Sequence, residues 1–320
     1  MKYSGIGGQA LIEGIMMKNG DKYSIAVRKP DGDIALEIKD FKSITDGRAW
    51  MQLPVIRGAF RFIDSLRIGI SSLMYSASFY EEEEPAQQEQ SATEQPRKAS
   101  FLEKHLSPEQ RESLTMTITL TLSLCMAIGL FMLLPVAAAS ILRKVTDSSF
   151  VIALAEGILR LAIFIGYISI VSRMKEISRT FMYHGAEHKC INCIEHGLPL
   201  DVEHVRISSR EHKRCGTSFM LIVMVISIFV FMFVRVENIG LRLLSRIVLV
   251  PLIAGLSYEL LQFTGRHEGR LVDIISRPGL WLQGLTTKEP EDDGMIEVAI
   301  AAVEAVFDWK AYEEGLENDV

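Results

Sequence analysis

Long apolar runs dominate the chain after residue 114, at about 115–141, 149–171, 217–234 and 239–263. Each is close to the ~20 residues an α-helix needs to cross the hydrocarbon core of a bilayer, so the pattern predicts two helical hairpins in a membrane. Charges interrupt two of the runs. Glu156 and Arg160 stand four residues apart in the second, a spacing at which helical side chains meet. An isolated charge at that depth is expensive, so the two are expected to pair with each other or with Glu259 near the inner end of the fourth run. Arg242 and Arg246 lie towards the outer end of that run, where long side chains can snorkel.

Ahead of the runs the periodicity changes twice. "YSIAVRKPDGDIALEIKDF" alternates apolar and polar positions on both sides of Pro30-Asp31-Gly32, which predicts two strands and a tight turn. The glycines of "SGIGGQALIEG" read as a structural turn, because no strand precedes them and no Lys-Ser/Thr follows. From Val55 to Tyr80 the period becomes helical: Arg57, Arg61, Asp64 and Arg67 share one face, with Phe62, Ile63, Leu66, Ile70 and Leu73 on the other. Such a helix suits either an anionic bilayer surface or the protein's own core. The division that follows is an N-terminal region at 1–80, a linker at 81–100, a membrane domain at 101–264 and a C-terminal region at 265–320. The linker, "EEEEPAQQEQSATEQPRKAS", holds too little apolar surface to order itself. The C-terminal region opens on a Pro278-Gly279 turn and ends in an amphipathic helix, with Trp281 and Leu282 placed to dock on membrane or core. Glu289, Asp292 and Asp293 mark a helix N-terminus there.

Composition fits this segregation: 48% of residues are hydrophobic and mean hydropathy is +0.21, although 23% are charged. A net charge of -6 without a basic stripe argues against a nucleic-acid partner. No cleavable leader is expected at the N-terminus, because Glu13 interrupts its apolar stretch. Basic residues concentrate in the loop at 172–216, which predicts that this loop and both termini face the cytoplasm. Its thiols would then be reduced. Cys125, in an apolar run, is expected in core or lipid.

That loop holds the chain's densest chemistry, "YHGAEHKCINCIEHG". On a helix His184 and His188 lie one turn apart on one face, the spacing that offers two imidazoles to one metal ion, and Glu187 joins them. His-x-x-Glu-His is the pattern in which the carboxylate acts as general base towards water at the metal. Cys190 and Cys193 project roughly 120–180° away and cannot share the ion on a continuous helix. Glu195 returns to the face but lies about 16 Å along the axis. Further along, "SREHKRCGTSF" supplies His212 and Cys215, the preferred remaining ligands. Two histidines and one cysteine with an open position suit a catalytic divalent ion, zinc first, whereas four ligands would close a structural site.

Taken together, "GGQALIEGIMM", "YHGAEHK", "HKRCGTSF", "PGLWLQGLTTKEP" and "EVAIAA" occur in an order that resembles the YqhQ-like bacterial membrane proteins, domain of unknown function 1385. The resemblance covers most of the chain and implies a multi-pass protein of the bacterial inner membrane, labelled metal-dependent but with no settled reaction. By motif match, His184, Glu187, His188, His212 and Cys215 fall on the family's recurrent polar positions, while Cys190 and Cys193 do not. The expectation is thus a predominantly α-helical multi-pass membrane protein of about four transmembrane helices with a small cytoplasmic α/β N-terminal region. Its functional reading is metal-dependent hydrolysis at the inner surface on a substrate the sequence does not name. Two alternatives stand beside it: a transporter or ion-handling protein using Glu156, Arg160 and Glu259, and a membrane assembly factor or scaffold with a protein partner.

Overall fold

The computed structural model describes residues 3–80, 108–234, 236 and 238–317; the expected acidic linker at 81–100 lies outside the described residues. Strands β1 (Gly7–Leu11), β2 (Gly14–Asn19), β3 (Lys22–Arg28) and β4 (Ile34–Asp40) form one antiparallel sheet in sequence order. The expected turn joins β3 to β4, with Gly32 at φ 93°, a conformation that strains any residue with a Cβ. Helices follow in the order α1 (Ile56–Ala77), α2 (Pro108–Ile128), α3 (Leu134–Ile141), α4 (Ser149–Val171), α5 (Lys175–Glu195), α6 (Val202–Ile207), α7 (Gly216–Phe233), α8 (Ile239–Val248), α9 (Val250–Arg266), α10 (Arg270–Thr286), α11 (Asp293–Glu304) and α12 (Trp309–Glu317).

The glycine-rich stretch near the start is a strand, not the turn its composition suggests. Its glycines answer to close packing: a Cβ at Gly14 would stand 2.5 Å from the Ala26 carbonyl, and one at Gly8 2.8 Å from that of Met16. The turn comes after β1, where Glu13 adopts φ 49° and its carboxylate is held by Arg179 and Tyr183 of α5.

Alternation along the strands gives the sheet two apolar faces. Leu11, Met16, Tyr23, Ile25 and Val27 close against Phe41 and Ile68 of α1. Ile15, Met17 and Ala26 meet α5 and α11 through Tyr183, Ala186, Met295 and Val298. A fully buried aliphatic side chain is worth about 1.5–3 kcal/mol, so this double-sided core makes the sheet a rigid platform for α5.

Among the described residues, three helical stretches are long and apolar enough to cross a membrane: Thr117–Ile141, Phe150–Val171 and Gly216–Phe233. The fourth expected span is broken. Gly240–Val248 and Val250–Arg266 meet at a 40° bend, just ahead of Pro251, which opens the second helix and has no N–H to continue the first. The break turns Arg242 and Arg246 inward instead of letting them snorkel, and both are buried. Arg246 Nη2 donates to Glu156 Oε2 at 2.9 Å, and Arg160 Nη2 to Glu156 Oε1 at 2.8 Å. Glu156 and Arg160 therefore pair as expected, whereas Glu259 does not join them and accepts instead from Arg57 Nε at 2.7 Å. Cys125 is exposed on the outer side of the helical bundle.

Two elements sit differently from their sequence pattern. Helix α1 packs on the protein by its small and polar edge, burying Gly58, Asp64, Gly69, Ser72 and Ser76, while Ile63, Leu66, Ile70 and Leu73 are exposed. At its crossing with α9 a Cβ on Gly58 would come within 2.8 Å of Gly255 Cα, which fixes why small residues line that edge. Pro278-Gly279 lies inside α10 and makes no turn; Gly279 lets α10 press against Ser218 of α7, whose Oγ would stand 2.7 Å from an added Cβ. Leu282 is buried with Phe164, Ile168 and Leu221 between α4 and α7, and Trp281 is exposed. Asp292 caps α11 by accepting from the Met295 N–H at 3.1 Å, as its acidic surroundings suggest.

Candidate metal centre

Helix α5 has close to neutral hydropathy, yet it is buried from Tyr183 to Glu195 apart from His184, which is partly exposed. Buried polar side chains require partners, and one stretch of chain supplies most of them. Lys189 Nζ donates to the carbonyls of Arg206 and Ser208 at 2.8 and 2.9 Å, and Asn192 Nδ2 to those of Ser209 and Glu211 at 2.6 and 2.9 Å. His188 Nδ1 reaches the Arg210 carbonyl at 2.7 Å. Residues 206–211 are thereby laid along α5, and the residues that follow, His212 to Cys215, arrive beside His184 and His188. On the other flank Lys288 N–H donates to the Phe181 carbonyl at 2.8 Å. There Gly185 is obligatory, since its Cβ would lie 1.8 Å from the Lys288 oxygen. Past Glu195 the helix ends at Gly197 with φ 69°, the left-handed residue that commonly closes a helix.

His184, His188 and Cys215 each offer one ligand atom, and these atoms lie within 4.8 Å of one another. This group could hold a metal ion. His184 Nδ1 is 2.8 Å from the Thr286 carbonyl, and a carbonyl oxygen only accepts, so in both histidines Nδ1 carries a proton and Nε2 is the nitrogen left for the group. Histidines that bind metal are oriented in this way. His184 Nε2 stands 3.2 Å from Cys215 Sγ. Cys215 is also the N-cap of α7, its sulfur accepting from the Thr217 N–H at 3.4 Å, and a helix N-terminus favours a thiolate. Burial alone would push the Cys215 thiol up, but His184 and His188 hold it well below the ordinary thiol range. Burial would likewise lower His184, yet the facing thiolate and Glu187 raise it to about 9, so Nε2 holds a proton towards the Cys215 sulfur that a metal ion would displace to reach the lone pair.

Glu187 is buried beside these groups, and its Oε2 has no hydrogen-bond partner among the described residues. Burial pushes its carboxyl above the usual range, against the pull of His184 and His188. Gly8 of β1 covers it, leaving 2.9 Å between the position of an added Cβ and Glu187 Cδ. The two helical turns, β1 and the His212–Gly216 segment enclose a cavity of about 80 Å³.

His212 lines that cavity but lies outside the group of three. Its Nε2 faces Glu195 Oε2 at 3.3 Å, and its backbone N–H donates to Gln283 Oε1 at 2.9 Å. Burial lowers its pKa against the pull of Glu195, so the ring is neutral and Nε2 donates. Glu195, too far along the helix to join the ligand group, thus meets His212 because the downstream segment runs alongside α5. It also accepts from Arg214 and from Ser4 N–H and Oγ, the latter two at 2.9 and 2.7 Å. Burial would raise its carboxyl, but His212, Arg214 and Ser4 bring it down to about 2. Cys190 and Cys193 sit on the opposite side of α5, in the core. The sequence pattern left Glu195 a supporting contact only if the chain turned back, and the turn at Gly197 with the segment after it supplies that contact through His212. Gly8, Gln283 and Thr286 were not singled out, although they belong to "GGQALIEGIMM" and "PGLWLQGLTTKEP", so the motifs carried a signal whose spatial meaning needed the fold.

Fold and site define a class: a mostly helical protein with candidate membrane spans, an N-terminal antiparallel sheet, and a buried His/His/Cys group beside a carboxylate. The chain belongs to the family described as "Protein of unknown function (DUF1385)", whose profile matches residues 53–309. It is 34% identical over 313 residues, 96% of this chain and 94% of the relative, to "Uncharacterized protein YqhQ" of Bacillus subtilis (strain 168). No solved structure matches the chain.

Proposed function

We propose that this protein is a multi-pass protein of the bacterial inner membrane with a catalytic divalent-metal centre at the cytoplasmic surface, and that its chemistry is hydrolytic. The observation that carries the proposal is the convergence of His184, His188 and Cys215 ligand atoms within 4.8 Å, next to a buried Glu187 oxygen without a partner among the described residues. Two imidazoles and a thiolate leave a position open in a tetrahedral site, which is the catalytic arrangement. Zinc is the favoured ion for this donor set. An ion there would polarise a bound carbonyl or phosphoryl oxygen and lower the pKa of water. His184 and His188 hold Nε2 inward through the Thr286 and Arg210 carbonyls. Glu187, with a raised pKa and a dry surrounding, accepts a proton from water as general base. His212, fixed by Glu195 and Gln283, borders the same cavity and donates or completes coordination when substrate enters. The basic loop at 172–216 supports the cytoplasmic placement.

Cobalt(II) substitution tests the ligand set. A thiolate-to-cobalt charge-transfer band that disappears in Cys215→Ser and persists in Glu187→Gln is the expected result. Absence of the band from folded, cobalt-loaded wild type would remove Cys215 from the centre. One observation favours a second reading: the 3.2 Å Cys215–His184 contact is also that of a cysteine nucleophile with its base. On that reading the thiol of protein as isolated, with its metal content intact, is alkylated rapidly by iodoacetamide; on the metal reading it is alkylated only after chelation.

A further inference from the structure

A second cavity, of about 300 Å³, opens between α7, α9 and α10. Its volume is at the lower end of small-molecule sites, roughly 300–1,000 Å³. The wall is formed by Leu221, Ile222, Val225, Ile226, Leu260 and Ile275, with Lys213 and Ser218 at one end. Two of the three helices belong to the candidate spans, so the apolar space lies at the depth of lipid chains. Ser276 contributes to the wall, although its hydroxyl is buried away from the space and has no partner among the described residues. At the end of the cavity Lys213 forms an ion pair with Asp273 at 3.0 Å.

This cavity and the metal site share a wall. Cys215 and Gly216 line the smaller space and Ser218 the larger, a separation of one helical turn, about 5 Å. Gln283 ties the two sides together, donating from Nε2 to the His212 carbonyl at 2.7 Å and to Ser218 Oγ at 2.8 Å. Resting on the metal-centre reading, we infer that the larger cavity receives the acyl chain of a membrane amphiphile whose polar end reaches His184, His188 and Cys215 once the Gln283 partition between the two cavities opens, so that the substrate class is lipid-like. A chain drawn from the leaflet enters without crossing water, and a cavity of about 80 Å³ admits only a compact polar group.

The test uses the full chain reconstituted in vesicles of phosphatidylethanolamine and phosphatidylglycerol carrying one of two photoreactive phosphatidylglycerols, labelled in the chain or in the head group, with metal content measured on the same preparation. Chain-label adducts on Leu221, Val225 or Ile275 and head-label adducts within 212–218 or 283–288 are expected. Val225→Trp and, independently, Ile222→Trp should reduce the chain adducts at least fivefold with metal content unchanged. Adducts confined to outward-facing residues such as Leu120 and Leu122, or unaffected by either folded variant, would overturn the cavity as a lipid site. Chain adducts in the cavity with head adducts only around Arg266 and Arg270 would overturn the link to the metal site. A preparation without metal that still shows both sets of adducts would overturn the metal centre alone.

Discussion

At the scale of single residues, the site depends on two glycines as much as on its ligands. Gly185 faces the Lys288 oxygen so closely that a methyl group would stand 1.8 Å from it. Gly185→Ala must displace the Thr287–Lys288 segment that leaves α10, and with it the Thr286 carbonyl that orients His184. Overpacking of this kind costs about 1–3 kcal/mol; we expect a lower melting temperature and loss of bound metal together, read by thermal unfolding and elemental analysis. Glu187→Gln has the opposite signature: it keeps the fold and the metal while turnover on the substrate, once identified, falls about 10²–10⁴-fold. Full turnover in that variant would remove the general base. Glu195 sets a pH dependence. Its folded pKa, about 2, lies below the ordinary carboxyl value of about 4.3, so its ionised form stabilises the fold. That contribution is complete above about pH 4.5 and is lost as pH falls through 2. The stability gap between wild type and Glu195→Gln should be flat from neutrality down to about pH 5, narrow as pH falls further and close near pH 2, as followed by chemical unfolding across the range. The chemistry of these residues was legible in sequence because His-x-x-Glu-His is local. Gly8, Gln283 and Thr286 were not, because each reaches the site from a separate part of the chain.

Elements explain how that distance is closed. Helix α5 is too polar to be buried on its own account, and its side chains recruit the backbone carbonyls of 206–211, which delivers Cys215. The helix, the hairpin at β3–β4 and the apolar runs followed from periodicity. What periodicity did not contain was the use each face is put to. Helix α1 has the expected amphipathic row, but glycines and serines on its other edge fit more tightly against α9 and the sheet, leaving Ile63, Leu66, Ile70 and Leu73 outward. The fourth run is apolar enough to look continuous, yet Pro251 bends it and sends Arg246 to Glu156. Two guanidinium groups there depend on one carboxylate. Glu156→Gln should cost about 3–5 kcal/mol, the usual penalty for stranding buried charge, and Glu156→Gln with Arg246→Leu should recover part of it. Unfolding in mild detergent measures both; equal stability of the single variant and wild type would show that the cluster is not held by its charge.

At the scale of the molecule, the sheet grips α5 and α11 on one face and α1 on the other, while α1, α7 and α10 lean on the apolar helices. His184, His188 and Cys215 therefore stand where the sheet and its helices meet the candidate membrane spans. The general architecture was readable because segregation of apolar and charged stretches is a global property; the enclosure of the site by β1 was not, because a glycine-rich strand carries little strand signal. The central claim is that His184, His188 and Cys215 hold a metal ion. It is tested most directly by the metal content of gently purified protein without a metal-binding tag, beside a folded His184→Ala, His188→Ala variant. Close to one equivalent is expected in the wild type and almost none in the variant. Wild type that stays metal-free after supplementation, or a variant that keeps the same equivalent, would contradict that claim.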